Sequence, residues 1–136
     1  MNDAKTNNLS PAKNSGTLVY VVDDEPMLLE LAIVILESEG YHIQTFRDPE
    51  NALKSFQSAQ PRPELLITDY AMHTMNGMQL IEKFRQLEPR QKILLVSGTV
   101  GEDIFQNATC RPDNFLAKPY QPGDFIDAVQ NLLARK

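Results

Sequence analysis

Apolar and polar positions along this chain follow two alternating rhythms. Short apolar runs recur at residues 18–22 (LVYVV), 41–46 (YHIQTF), 65–68 (LLIT), 93–96 (ILLV) and 115–117 (FLA). Each has the length of a strand, and the second is the weakest. Between the runs, apolar residues return at steps of three and four, the period of a helix with one face toward a core. Pro26 suits a first helical turn, and Gly40 suits the position past the end of a helix over 27–39. Asp48-Pro49 reads as a cap and first helical residue, opening a helix with Ala52, Leu53 and Phe56 on one face. Over 77–87, Leu80, Ile81, Phe84 and Leu87 share a face, and Pro89 follows. Phe125, Val129, Leu132 and Leu133 do the same after Pro122-Gly123. The stretch 101–114 differs: Ile104 and Phe105 are apolar, but Gly101, Asn107, Thr109 and Pro112 oppose a long helix, so a short or irregular one is expected. Residues 1–16 are polar, with Leu9 their one large apolar residue after Met1. They are expected to form a flexible tail ahead of one domain over 17–136.

Five strands alternating with helices predict an α/β fold: a parallel sheet covered by helices on both faces. Right-handed crossovers place the C-terminal ends of all the strands on one edge, where open α/β sheets bind ligands. Composition narrows the partners. Of 136 residues, 13 are basic and 18 acidic, for a formal net charge of −5, and no basic run or stripe stands out. Direct nucleic-acid binding is therefore not expected. The longest apolar stretch, 31–36, is too short to cross a membrane, and no apolar segment precedes Leu18 to act as a leader. The single cysteine, Cys110, has no internal disulfide partner and reads as a packing thiol, which suits a reducing, cytoplasmic home.

The chemistry lies where the apolar runs stop. The first ends in Asp23-Asp24-Glu25, the third in Asp69, the fourth in Ser97-Gly98 and the fifth in Lys118-Pro119. One such residue is a turn signal, but the topology gathers all four ends. Two carboxylates about 4 Å apart repel by about 4 kcal/mol at an effective dielectric near 20, so a carboxylate cluster calls for cations. Lys118 supplies one charge, and a Mg²⁺ ion with an oxygen-rich, watery shell would supply the rest. Asp69, flanked by a metal, a hydroxyl and an ammonium, suits chemistry in which negative charge develops on a phosphoryl group. A carboxylate can itself be the nucleophile and become an acyl phosphate.

This pattern resembles the receiver domain of two-component response regulators, of the single-domain chemotaxis-regulator type. The resemblance spans residues 17–136 and rests on Asp23-Asp24, Asp69, Met72, Met75, Asn76-Gly77, Ser97-Gly98 and Lys118-Pro119, in order and at the family's offsets. It implies a flavodoxin-like, doubly wound sheet in the order 2-1-3-4-5. It also implies roles. Asp69 would be the phosphoacceptor. Asp24 would bind Mg²⁺ directly, Asp23 mostly through water, and the Ala71 carbonyl would be a further ligand. Ser97 and Lys118 would hold the phosphoryl oxygens, Ser97 and Phe115 would form the switch, and the Lys118-Pro119 peptide would be cis. The donor would be a sensor histidine kinase or phosphotransfer protein, and the readout a changed affinity for a downstream protein partner. Since the sequence stops at Lys136, directly after the last helix, output is expected through protein–protein contact.

The sequence departs from the family at His73, where a proline is usual, at Pro112, where a Gly-Ala pair is common, and at Phe115, which lacks the commoner tyrosine's hydroxyl. His73, near the site by sequence, could contact a partner or the phosphoryl group but reads first as a solvated loop residue, and His42 reads as a strand-start residue. Met72, Met75 and Met78 read as packing residues. Two rivals remain in view. A Mg²⁺-dependent aspartyl-phosphate phosphohydrolase would place a second acid two residues past its nucleophile, where this chain has Ala71. An unphosphorylated pseudo-receiver would have no use for the intact acids, Ser97 and Lys118.

Overall fold

The structure, a computed structural model, describes residues 16–98 and 108–135. The elements run β1 (Leu18–Val22), α1 (Pro26–Glu37), β2 (His42–Phe46), α2 (Pro49–Ser58), β3 (Leu65–Asp69), α3 (Gly77–Leu87), β4 (Lys92–Ser97), β5 (Asn114–Ala117) and α4 (Pro122–Ala134). The five strands form one parallel sheet in the order β2-β1-β3-β4-β5. Apolarity tracks position in that order. All of β3 is buried and all but the first residues of β1 and β4, whereas the edge strands β2 and β5 keep residues in solvent. The weak run at 41–46 is weak because it codes an edge.

Alternation along each strand sorts the core into two layers. Val19, Val21, Leu65, Ile67, Leu94 and Val96 face α1 and α4, where Leu29, Ile35, Leu36, Phe125, Val129 and Leu132 meet them. Tyr20, Val22, Leu66, Ile93 and Leu95 face the other way, onto Ala52, Leu53 and Phe56 of α2 and Leu80, Ile81 and Phe84 of α3. The Phe56 and Phe84 rings stand 4.4 Å apart. Both are fully buried, and truncating either to alanine removes about 3–5 kcal/mol.

Local chemistry sets the helix ends. Asp48 caps α2 by accepting from the Glu50 amide at 3.0 Å, and Pro49 takes the first turn. Asn76 and Gln79 form a reciprocal capping box at the start of α3, at 2.9 and 2.8 Å. Helix α1 ends two residues before the expected 39, at Glu37, with Ser38 as its cap and Gly40 turning the chain at φ 94°. The Ser38 hydroxyl donates to the Ile35 carbonyl at 2.6 Å, which closes the helix before Glu39. The helix sought in 101–114 lies largely outside the described residues; 108–113 hold no helix or strand.

Candidate functional site

The parallel sheet brings the predicted strand ends together. Asp23 directly follows β1, Asp69 is the last residue of β3, Ser97 the last of β4, and Lys118 directly follows β5. Register aligns them: Val22 pairs with Thr68, Asp69 with Val96 and Ser97 with Ala117. All three polar strand-end side chains, Asp23, Asp69 and Ser97, are buried.

Each group is held from its own loop. The Asp23 amide donates to the Phe46 carbonyl at 3.0 Å, and its Oδ1 accepts from the Glu25 amide at 3.0 Å. Asp23 thereby fixes the turn into α1, whose own cap, Glu25, makes no side-chain hydrogen bond. Asp69 Oδ1 accepts from the Tyr70 amide at 2.9 Å. The Tyr70 carbonyl accepts from the Gly77 amide at 2.8 Å, drawing the 70–77 loop closed. Gly77 has no alternative there: a Cβ would lie 2.4 Å from the Asp69 carbonyl oxygen and 2.8 Å from Leu95 Cδ1. Buried Met75 and half-buried Met72 and Met78 pack beneath the loop, as their spacing suggests.

Lys118 joins the acids. Its Nζ lies 3.2 Å from Asp23 Oδ2 and 3.3 Å from Asp69 Oδ1. Its amide donates to the Ser97 carbonyl at 2.9 Å, and the Lys118-Pro119 peptide is cis, as the resemblance implies. Burial, followed by repulsion from Asp23, raises the Asp69 pKa above the ordinary aspartate value, although Lys118 and the Tyr70 amide pull it down. For Lys118, burial alone would lower the pKa, but Asp23 and Asp69 outweigh it and the net direction is up.

Asp23, Asp24 and Asp69 each bring a carboxylate oxygen within 4.8 Å of the other two. Among the described residues, three hard oxygen donors and one ammonium form a pocket whose charge balance and donor type fit Mg²⁺. Of the other expected residues, Ala71 lies in the exposed loop two positions past Asp69. Phe115 sits half-buried in β5, paired with Leu95 and packed on the α2–α3 layer. One contact was not anticipated. His73, although its side chain is 90% exposed, places Nε2 3.3 Å from Asp24 Oδ2. The only sequence signal for it was a histidine where the family has proline. His42 is exposed at its strand start, and Cys110 is half-buried, both as read.

Comparisons with known proteins agree with this geometry. The family described as the response regulator receiver domain matches residues 19–130. A curated relative, the probable transcriptional regulatory protein TcrX of Mycobacterium tuberculosis, is 30% identical over 125 residues, covering 91% of this chain and 53% of the relative. The chain thus spans about half of that protein. A CheY-like receiver domain protein from Methanospirillum hungatei superposes with a TM-score of 0.78 at 25% identity, covering 86% of this chain and 93% of the other. The response regulator TrrA of Thermotoga maritima, solved in complex with Mg²⁺-BeF, superposes with a TM-score of 0.75 at 28% identity, covering 85% and 98%. Among the described residues no helix is long and apolar enough to cross a membrane. With the family matched across most of its length and the sheet order 2-1-3-4-5 in place, the chain belongs to the response regulator receiver domains, the phosphoacceptor switches of two-component signalling.

Proposed function

We propose that Asp69 is the phosphoacceptor of this receiver, taking a phosphoryl group from a phosphohistidine of a sensor kinase or phosphotransfer protein. The observation that carries this reading is Lys118: one ammonium within 3.3 Å of both Asp23 and Asp69, at the edge where three acids converge. Both described contacts of the Asp69 carboxylate fall on Oδ1, which leaves the other oxygen to attack phosphorus. As that O–P bond forms, the N–P bond to the donor imidazole breaks, and the imidazole keeps the electron pair and takes up a proton. Lys118 and the Ser97 hydroxyl stabilise the phosphoryl oxygens. Asp23, Asp24, Asp69 and the Ala71 carbonyl would hold Mg²⁺, which neutralises the charge gathering between acceptor and phosphoryl group.

Ser97 and Phe115 lie on adjacent strands and act as the switch: a shift of Ser97 toward the phosphoryl oxygens would let Phe115 move inward and alter the affinity for a downstream protein. The surface suits protein partners. Met27, Leu31 and Val34 line one exposed face of α1, and Leu28, Leu31, Lys118, Pro119 and Tyr120 border a groove of about 400 Å³ beside the pocket. The phosphohydrolase reading is disfavoured by Ala71, and no separate substrate is proposed. Residues 17–136 would form the receiver, working in the cytoplasm. Acetyl phosphate with Mg²⁺ should add one phosphoryl mass to the intact chain, and Asp69→Asn should abolish the addition. Equal labelling of that variant would defeat the assignment.

A further inference from the structure

We propose that His73 is a nitrogen donor to the cation pocket, so that this receiver binds nitrogen-preferring divalent ions such as Ni²⁺ or Co²⁺ in addition to Mg²⁺. The inference rests on the reading of Asp24 and Asp69 as cation ligands and adds a group that this reading does not use.

Three observations carry it. His73 Nε2 stands 3.3 Å from Asp24 Oδ2, and Asp24 is one of the three acids whose oxygens converge. Two donors each about 2.1 Å from one ion and at right angles to each other stand about 3.0 Å apart, so the observed spacing is close to that of neighbouring ligands. The ring is also unencumbered. Its side chain is 90% exposed, and among the described residues Asp24 is its one partner. It can turn toward an ion without giving up packing. The backbone beneath the ring is held, however: the loop is closed by Gly77 N–H to the Tyr70 carbonyl and anchored by buried Met75. A fixed backbone carrying a free imidazole at the pocket mouth is what a pocket needs to recruit one more ligand in place of a water.

The consequence is a matter of ligand type. Oxygen donors alone suit Mg²⁺, which holds its remaining water tightly. Adding one imidazole moves the preference toward ions late in the first transition row, whose affinity for nitrogen rises to Ni²⁺ and Cu²⁺. Removing the ring should therefore affect different ions differently, which distinguishes a ligand from a residue that merely steadies Asp24.

The test is calorimetric titration of the untagged full chain with MgCl₂ and, separately, NiCl₂, for the parent, His73→Gln, His42→Gln and Asp24→Ala. His73→Gln should lose about tenfold in Ni²⁺ affinity, while Mg²⁺ affinity should stay within about twofold. His42→Gln should titrate like the parent. Equal losses for both ions in His73→Gln would overturn the proposal in favour of a ring that only steadies Asp24. No loss for either ion, or a Ni²⁺ loss in His42→Gln instead, would overturn it outright. If Asp24→Ala keeps the parent's Mg²⁺ binding, the oxygen pocket itself is misassigned; that failure shows separately, and the proposal falls with it.

Discussion

Asp69 is held in a state it does not favour. Its pKa is raised above the ordinary 3.8, first by burial and then by Asp23. A carboxyl whose pKa is higher in the folded chain than in the unfolded one binds its proton more tightly when folded, so the fold loses stability as pH rises between the two values. The penalty is absent below 3.8 and fully present above the raised folded value. Asp69→Asn should therefore melt higher than the parent in Mg²⁺-free buffer at neutral pH, and a lower melting temperature would contradict that sign. Lys118 works the other way. Its raised pKa means that its contribution is fully present below the ordinary 10.5 and is lost as pH climbs through the folded value. Alkaline melts should show this loss in the parent and not in Lys118→Met. Gly77 sets a steric limit: Gly77→Ala should cost about 1–3 kcal/mol in urea unfolding, because its new methyl presses on the Asp69 carbonyl and Leu95. The strand-end residues were legible in the sequence because each terminates an apolar run. The His73 contact was not, because it depends on the path of a loop that no periodicity describes.

Among the elements, the short edge strand β5 depends on one residue of α3. Arg85 donates from Nε to the Gln91 carbonyl at 2.9 Å, from Nη1 to the Arg111 carbonyl at 3.1 Å and from Nη2 to Asp113 Oδ2 at 3.0 Å. Asp113 Oδ2 also accepts from the Ile93 amide at 2.7 Å. The guanidinium thus clamps the entries of β4 and β5 to α3, and it is mostly buried, with 16% of its side chain exposed. Arg85→Ala should cost about 1–3 kcal/mol, since it removes three hydrogen bonds, one of them to a carboxylate that then keeps, among the described residues, only the Ile93 amide. Hydrogen exchange should speed up at the start of β5 more than in β1. None of this was read from the sequence, where Arg85 sits on the polar side of a helical period. The helices and inner strands were legible because core alternation and caps agree with one another. The outward face of α1 was not, because nearly every residue of that helix is apolar and the period does not mark which side is left in water.

For the whole molecule, that outward face matters. Met27 is 81% and Val34 68% exposed on a helix beside the acidic pocket. Val34→Glu should leave stability within about 0.5 kcal/mol, as surface changes usually do. It should slow phosphorylation by a histidine donor while leaving labelling by acetyl phosphate unchanged, because the small donor needs no docking face. Loss of both would point to damage at the pocket itself.

The Lys118 ammonium has a consequence for how the protein is made. It ties the end of β1 to the end of β5, and Asp23 and Lys118 are 95 residues apart in the chain. A ribosome delivers Asp23, Asp24 and Asp69 long before it delivers the lysine that balances them. Until β5 has emerged and docked beside β4, Asp23 and Asp69 lack the ammonium that lies 3.2 and 3.3 Å from them in the folded chain. If Asp69 takes the phosphoryl group as proposed, its pocket is complete only once β5 lies beside β4.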